Sequence, residues 1–300
     1  EKFKFYLCDD EDSICQISSL SSVQKEISKF LKKSKPDLIV LLGDRWELYS
    51  ISIPSLILRI PIAHISGGEI TLGAIDELIR HSLTKLSHLH FVSCNEYARN
   101  ISLMGEEDWR ITISGECGLD WIHNSKLVPK EKICNEFNIS LNSQNKLALF
   151  TYHPTSYGNT KLLKEELDVL ISILEFYKNI DFIITGPGME LGSEKARNTF
   201  KEISKNMNHI FYIEHLGREN YLSMMKYSDF VIGNSSSGIC EAPSVGTPSI
   251  NIGNRQEGRL RADSTVDCNF NFDSISNALE SILSKNSQDI IKEIYNPYDP

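Results

Sequence analysis

The feature that most restricts this chain's fold is a rhythm. Short runs rich in β-branched residues alternate with amphipathic stretches over its whole length. Strand-like runs fall at residues 37–43, 61–66, 88–93 and 110–114, and again at 146–152, 181–186, 210–214, 230–233 and 249–252. Helical patterns lie between them, over 21–33, 72–86, 161–177, 194–205 and 218–226. Such alternation specifies an α/β fold built on parallel sheets. A chain of 300 residues has room for two domains of roughly 100–200 residues. Residues 120–132 are polar, contain Pro129 and separate the two series, so they read as a hinge. The expectation is two Rossmann-like domains in tandem, 1–126 and 127–300. A doubly wound domain usually opens on a strand and a glycine-containing phosphate loop. Here the opening EKFKFYLCDDEDSICQISSLSS holds one short apolar run and no glycine loop. The first domain is therefore expected to lack its leading strand–helix unit.

Composition excludes several classes. A net charge of −9 argues against a nucleic-acid partner, which wants a basic face, and leaves any anionic ligand to local positive groups. The seven cysteines are scattered, with no C-x-x-C pair, so neither a disulfide framework nor a zinc ribbon is indicated. Reduced thiols in a cytoplasmic protein are the simplest expectation. No apolar run reaches membrane-spanning length and no signal peptide is visible, so no membrane association is expected.

Chemistry-bearing residues collect at the carboxyl ends of the strand-like runs, where open parallel sheets hold their ligands. Asp44 and Arg45 follow the run ending at Gly43. Asp44 can serve a substrate hydroxyl or cap the next helix, and Arg45 offers a planar fork suited to phosphate. His64-Ile65-Ser66-Gly67-Gly68-Glu69 follows the second run. Its glycine pair can admit a ligand close to the backbone between an acid/base histidine and a carboxylate, or simply make a tight turn around a core histidine. Asp76 and Glu77 open a helix, where carboxylates also suit the macrodipole. Glu77 and His81, four apart, can pair on its surface. His88 and His90 share a strand face, and without a matching Cys or carboxylate a structural role outweighs metal binding.

In the second half His153 closes a strand before a polar loop. The segment Gly233-Asn234-Ser235-Ser236-Ser237-Gly238-Ile239-Cys240-Glu241 ends a strand in three hydroxyls between glycines, more than an N-cap needs. The backbone amides there, with the serine hydroxyls, make an anion site suited to phosphate. Glu241 lies at an offset suited to a diol such as a ribose. Arg255, Arg259 and Arg261 follow the next strand and read as a diphosphate clamp, against the alternative of a solvated charged face.

With these residues in view, the chain resembles the hydrolysing UDP-N-acetylglucosamine 2-epimerases of bacterial sialic- and legionaminic-acid synthesis. The segments that carry the resemblance are LGDR, HISGGEITLGAIDELIRH, TKLSHLHF, TYHP, GNSSSGICEAPSVGTPSINIGNRQEGR and the closing NPY. It implies two Rossmann-like domains facing across a cleft, the GT-B arrangement. The first would carry the catalytic carboxylates and the second would hold UDP. Asp44 and Asp76 would be catalytic, with Glu69 and His153. Some members carry a glutamate two residues after the motif histidine, where this chain has Ser66, and Glu69 is the nearest substitute. Ser235 and Ser236 would contact the diphosphate and Glu241 the ribose. Arg255, His153 and Arg45 would serve the phosphate and sugar region. The implied reaction converts a UDP-2-acetamido sugar, UDP-N-acetylglucosamine or UDP-diacetylbacillosamine, and water into UDP and the free C2-inverted sugar. It proceeds by elimination and then hydration. No cofactor or metal is implied, and a homodimer is. A non-hydrolysing epimerase, a glycosyltransferase of GT-B type and a catalytically inactive UDP-sugar binder are the competing readings.

Overall fold

A computed structural model describes residues 13–72, 75–155, 159–188, 190–284 and 294–299. The opening stretch 1–12, in which no leading strand–helix unit is read, lies outside the described residues. The chain divides into two compact units, Glu1–Cys117 and Gly118–Asp299.

The first unit runs α1 (Ser13–Ser34), β1 (Ile39–Leu42), α2 (Tyr49–Ile57), β2 (Ile62–Ile65), α3 (Asp76–Leu86), β3 (Leu89–Val92), α4 (Asn95–Leu103) and β4 (Ile111–Ile113). Its strands pair in parallel in the sequential order β1-β2-β3-β4. Leu41, Ile62, Ile79 and Leu83 form a core between sheet and helices. A second cluster packs Ile27 and Leu31 of α1 against Ile60. Helix α3 forms where Asp76 and Glu77 occupy the first turn and Lys85 the last, matching the helix dipole. It buries Ile79, Arg80, Leu83 and Thr84 on one face.

The second unit runs α5 (Leu119–Asn124), α6 (Lys130–Glu136), β5 (Lys146–Thr151), α7 (Thr160–Phe176), β6 (Ile180–Thr185), α8 (Ser193–Asn206), β7 (Ile210–Ile213), α9 (Arg218–Tyr227), β8 (Phe230–Gly233), α10 (Ser237–Cys240), β9 (Ser249–Ile252), β10 (Thr265–Cys268) and α11 (Phe272–Ser284). Six parallel strands lie in the order β10-β9-β8-β5-β6-β7. Counted from β5, this is the doubly wound Rossmann order read from its far edge. Strand β6 is buried at every residue, as expected of a parallel strand covered on both faces. Helix α7 buries Leu163, Leu167, Leu170 and Leu174 at helical spacing. The Asn159 side chain caps it, accepting from the N–H groups of Lys161 and Leu162 at 3.1 and 3.2 Å.

Nine expected strands appear, most of them shorter by a residue or two at their ends, and β10 joins them. Its sequence Thr-Val-Asp-Cys is too short and polar to announce an edge strand. Helix α2 is also unexpected, because Pro54 sits inside it and removes an intrahelical donor. The polar segment 120–132 is ordered as α5, a connection and the start of α6. Trp121, Ile122 and Val128 pack against the second unit's core. Among the cysteines, Cys94, Cys117, Cys134, Cys240 and Cys268 are not disulfide-bonded. Cys15 is, contrary to the expectation of thiols throughout.

Candidate active site

In the second unit β5 lies between β6 and β8, so the strand order reverses there. Open α/β sheets bind ligands beyond the carboxyl ends of their strands at such a reversal. The residues delivered to that point are His153, two positions past β5, and the Asn234–Ser236 turn that follows β8. Gly233 turns the chain with φ +137°, and a Cβ there would collide with the Thr151 carbonyl. No other residue fits.

Asn234, 1% exposed, ties the site together. Its Oδ1 accepts the His153 N–H at 2.7 Å, and its Nδ2 donates to the His153 carbonyl at 2.7 Å. Its own carbonyl accepts from Arg255 Nη1 at 3.2 Å and Gln256 Nε2 at 3.0 Å. One buried amide thus fixes the ends of β5 and β8 and the loop after β9. Glu190 closes the group, with Oε2 3.5 Å from His153 Nδ1 and Oε1 3.7 Å from Arg255 Nη2. Burial pushes its carboxyl up, but the His153 ring and the Arg255 guanidinium outweigh burial and hold it at about 2.

Ser236 stands at the N-cap of α10 but makes no side-chain cap bond. Its hydroxyl is not consumed in capping that helix. Glu241 follows the last turn of α10 and is half-buried. Burial raises its carboxyl pKa while Arg218 and Arg259 oppose the shift. The closing Asn296 donates to the Cys240 carbonyl at 2.7 Å and to Ser244 Oγ at 2.6 Å, so the NPY segment anchors the end of the serine helix. Of the three arginines, Arg261 is spent locally. It donates to Asp267 at 3.1 Å and to the carbonyls of Arg259 and Gln256 at 2.7 and 2.9 Å. These local bonds occupy the Arg261 guanidinium in the fold of its own loop.

In the first unit the centre is Arg80, whose side chain is 1% exposed. It donates to Asp44 Oδ2, to the Glu69 carbonyl at 3.1 Å, to Thr71 Oγ1 at 2.8 Å and to Glu77 Oε2 at 3.2 Å. A buried guanidinium with several partners fixes the strand end carrying Asp44 against the segment carrying Glu69. The Glu69 side chain is buried in that segment. Asp76 occupies the first residue of α3. Arg45 is more exposed, with Nη2 3.5 Å from Glu47 Oε1. Glu77 is structural: it accepts from the Thr71 N–H at 2.5 Å and pairs with His81 Nε2 at 2.9 Å.

The glycine-pair motif resolves to its packing alternative. A Cβ on Gly68 would strike the Tyr97 carbonyl of α4, and one on Gly67 would lie 3.0 Å from Thr84 Oγ1. His64 is wholly buried, its Nε2 bonded to the Gly43 carbonyl at 2.8 Å and its Nδ1 to Thr84 Oγ1 at 3.2 Å. The Gly43 carbonyl requires a proton on Nε2, and in the neutral ring Nδ1 then accepts from the Thr84 hydroxyl. Burial, with the charges of His90 and Arg80, lowers its pKa to about 4 despite the Gly43 bond. His88 is likewise occupied in the fold, Nδ1 accepting the Ile62 N–H at 3.3 Å. Sequence reasoning passed over Arg80, Asn234 and Glu190 as site-forming residues. Arg80 carried a usable signal, a cation on the buried face of an amphipathic helix. Asn234 and Glu190 carried none.

The two units define a class: paired Rossmann-like α/β folds of GT-B type. The profile of the family described as UDP-N-acetylglucosamine 2-epimerase matches residues 2–300. The chain is 37% identical over 278 residues to a GDP/UDP-N,N'-diacetylbacillosamine 2-epimerase (hydrolyzing) of Campylobacter jejuni subsp. jejuni, covering 92% of this chain and 71% of that one. It is 32% identical over 283 residues to polysialic acid biosynthesis protein P7 of Escherichia coli, covering 94% and 71%. Its fold is similar to the crystal structure of Methanocaldococcus jannaschii UDP-GlcNAc 2-epimerase in complex with UDP-GlcNAc and UDP. That likeness has a TM-score of 0.77 and 22% identity over 94% of this chain and 77% of the other. The chain belongs to the UDP-N-acetylglucosamine 2-epimerase family. Among the described residues no helix is long and apolar enough to cross a membrane.

Proposed function

We propose that the protein is a hydrolysing 2-epimerase. It converts a UDP-linked 2-acetamido sugar, UDP-N-acetylglucosamine or UDP-diacetylbacillosamine, and water into UDP and the free sugar inverted at C2. The observation that carries this reading is the 37% identity, over 92% of the chain, to a relative whose name specifies hydrolysing epimerisation. The reaction balances without a redox step. A base removes the C2 proton, the electron pair forms a C1–C2 double bond, and the C1–O bond to the diphosphate breaks. Water then supplies hydroxyl to C1, and a proton returns to C2 on the opposite face.

The residues divide between these tasks. Asp44, Glu69, Asp76 and His153 supply the proton transfers, which need groups in unlike environments. The difference in surroundings between Glu69, buried at 2% exposure, and half-buried Asp76 supports that division. Ser235, Ser236, Arg255 and Arg45 carry charge on the departing diphosphate, and Glu241 takes the ribose hydroxyls. The Arg80 network supports this reading by holding Asp44 in one orientation. The protein works in the cytoplasm, as a homodimer. Sedimentation equilibrium at micromolar concentration tests the dimer, and a monomer there contradicts it.

Asp44→Asn and Asp76→Asn test the catalytic assignment. Each is expected to abolish epimerisation, with UDP affinity within about threefold of wild type. Asp76→Asn alters none of the bonds named for Arg80. Wild-type turnover in either variant removes its carboxylate from the mechanism.

A further inference from the structure

A line of buried hydroxyls leads from the interior of the second sheet to the serine turn. Thr185 Oγ1 on β6 lies 2.7 Å from Thr151 Oγ1 on β5. Thr151 Oγ1 is 3.3 Å from Tyr221 OH on α9, and Tyr221 OH is 2.6 Å from Ser237 Oγ. Ser237 Oγ donates to Ser235 Oγ at 3.1 Å. Each hydroxyl has one proton to give, so the last bond sets the direction of the whole line. Because Ser237 donates to Ser235, Tyr221 must donate to Ser237 and Thr151 to Tyr221, while the one proton of Thr185 is shared between Thr151 Oγ1 and the Phe150 carbonyl at 3.4 Å. Thr151, Thr185 and Ser237 are all buried. Burial also pushes the Tyr221 phenol up to about 12, keeping it protonated and able to donate.

The line ends on an oxygen with its acceptor capacity filled. Ser235 Oγ also accepts the Ser237 N–H, at 3.4 Å. Two donors occupy its two lone pairs, and the capacity left is its own O–H. Ser235 can then give a hydrogen bond to a ligand but not take one. Successive donation also polarises each hydroxyl, making the last a stronger donor than an isolated serine.

We propose that the Thr185–Thr151–Tyr221–Ser237 line is a positioning relay that commits Ser235 to donate, so that this turn selects an acceptor-only anion, the diphosphate of a nucleoside diphosphate. The proposal rests on the reading that Ser235 meets the diphosphate. It adds that Tyr221, remote from the ligand, sets affinity for the phosphates and not for the nucleoside. Tyr221→Phe removes the middle donor and frees Ser237 to turn its proton elsewhere.

The test is a double-mutant cycle on the whole chain. UDP and uridine are the probes, with calorimetry for the first and ligand-observed NMR for the second. Tyr221→Phe is expected to weaken UDP about five- to tenfold and to leave uridine unchanged. In a Ser235→Ala background the same substitution is expected to have no further effect on UDP. Thr151→Val cuts the line one step earlier and is expected to act in the same direction, more weakly. It serves if Tyr221→Phe does not fold. Equal weakening of UDP and uridine, or full additivity of the two substitutions, means a merely structural tyrosine and overturns the relay. Unchanged UDP affinity in Ser235→Ala would instead overturn the underlying reading of the serine turn, and the relay with it.

Discussion

The polar centres of the two units solve the same problem with opposite materials. The first is organised by a charge: Arg80, buried among Asp44, Glu77, Thr71 and the Glu69 carbonyl. The second is organised by a neutral amide: Asn234, whose bonds run to His153, Arg255 and Gln256. A buried charge is secure only while every partner remains, because losing one strands the others in low dielectric. An amide holds its partners more loosely and at smaller cost. The flanking sheets differ in the same sense. Strand β6 is buried throughout, whereas Val40 and Leu42 of β1 are each 59% exposed. The first unit should therefore be the more sensitive to loss of its organising residue.

Arg80→Met tests this with the largest expected effect. It leaves Asp44 and Glu77 without their cation and should cost about 3–5 kcal/mol. Urea unfolding followed by the first unit's tryptophans, Trp46 and Trp109, measures it. Asn234→Asp keeps the acceptor for the His153 N–H but loses the donor to the His153 carbonyl. It should cost about 1–3 kcal/mol, read by Trp121 in the second unit. A larger loss in Asn234→Asp than in Arg80→Met breaks the contrast.

Acid should separate the units more gently. The folded pKa of His64, about 4, lies below its ordinary 6.5, so protons favour the unfolded state. The stability from its burial is complete above pH 6.5 and is lost as pH falls toward 4, amounting to about 3 kcal/mol. Glu190 is also depressed, to about 2 from an ordinary 4.5, so its contribution is lost only between those values. Hydrogen exchange against pH should accordingly show β2 losing protection before the loop after β6. The reverse order contradicts the assignment.

Much of this was legible in the sequence, and the losses have identifiable causes. The β-branched runs were long and apolar enough to mark nine strands. Thr-Val-Asp-Cys of β10 was not, since an edge strand has less apolar surface to bury. The polar segment 120–132 resembled a linker because its few apolar residues, Trp121, Ile122 and Val128, show their packing only against a core from distant strands. The glycine pair announced a close approach correctly, but its partner is the Tyr97 carbonyl of α4. Asn234 was invisible as a hub, because its importance lies in reciprocal bonds to a residue 81 positions away. Conversely, Asp44 and the serine turn stood out because strand ends in parallel sheets are where chemistry collects.

The protein should eliminate UDP and then hydrate the intermediate, with the hydroxyl going to C1 and a proton to the opposite face of C2. Incubating the whole protein with each candidate UDP-sugar in deuterium oxide, and analysing products by mass spectrometry, tests it directly. The expected product is free sugar inverted at C2 and bearing one deuterium there, with one UDP released per sugar. Recovery of an inverted sugar still attached to UDP, or of free sugar without deuterium at C2, would contradict it.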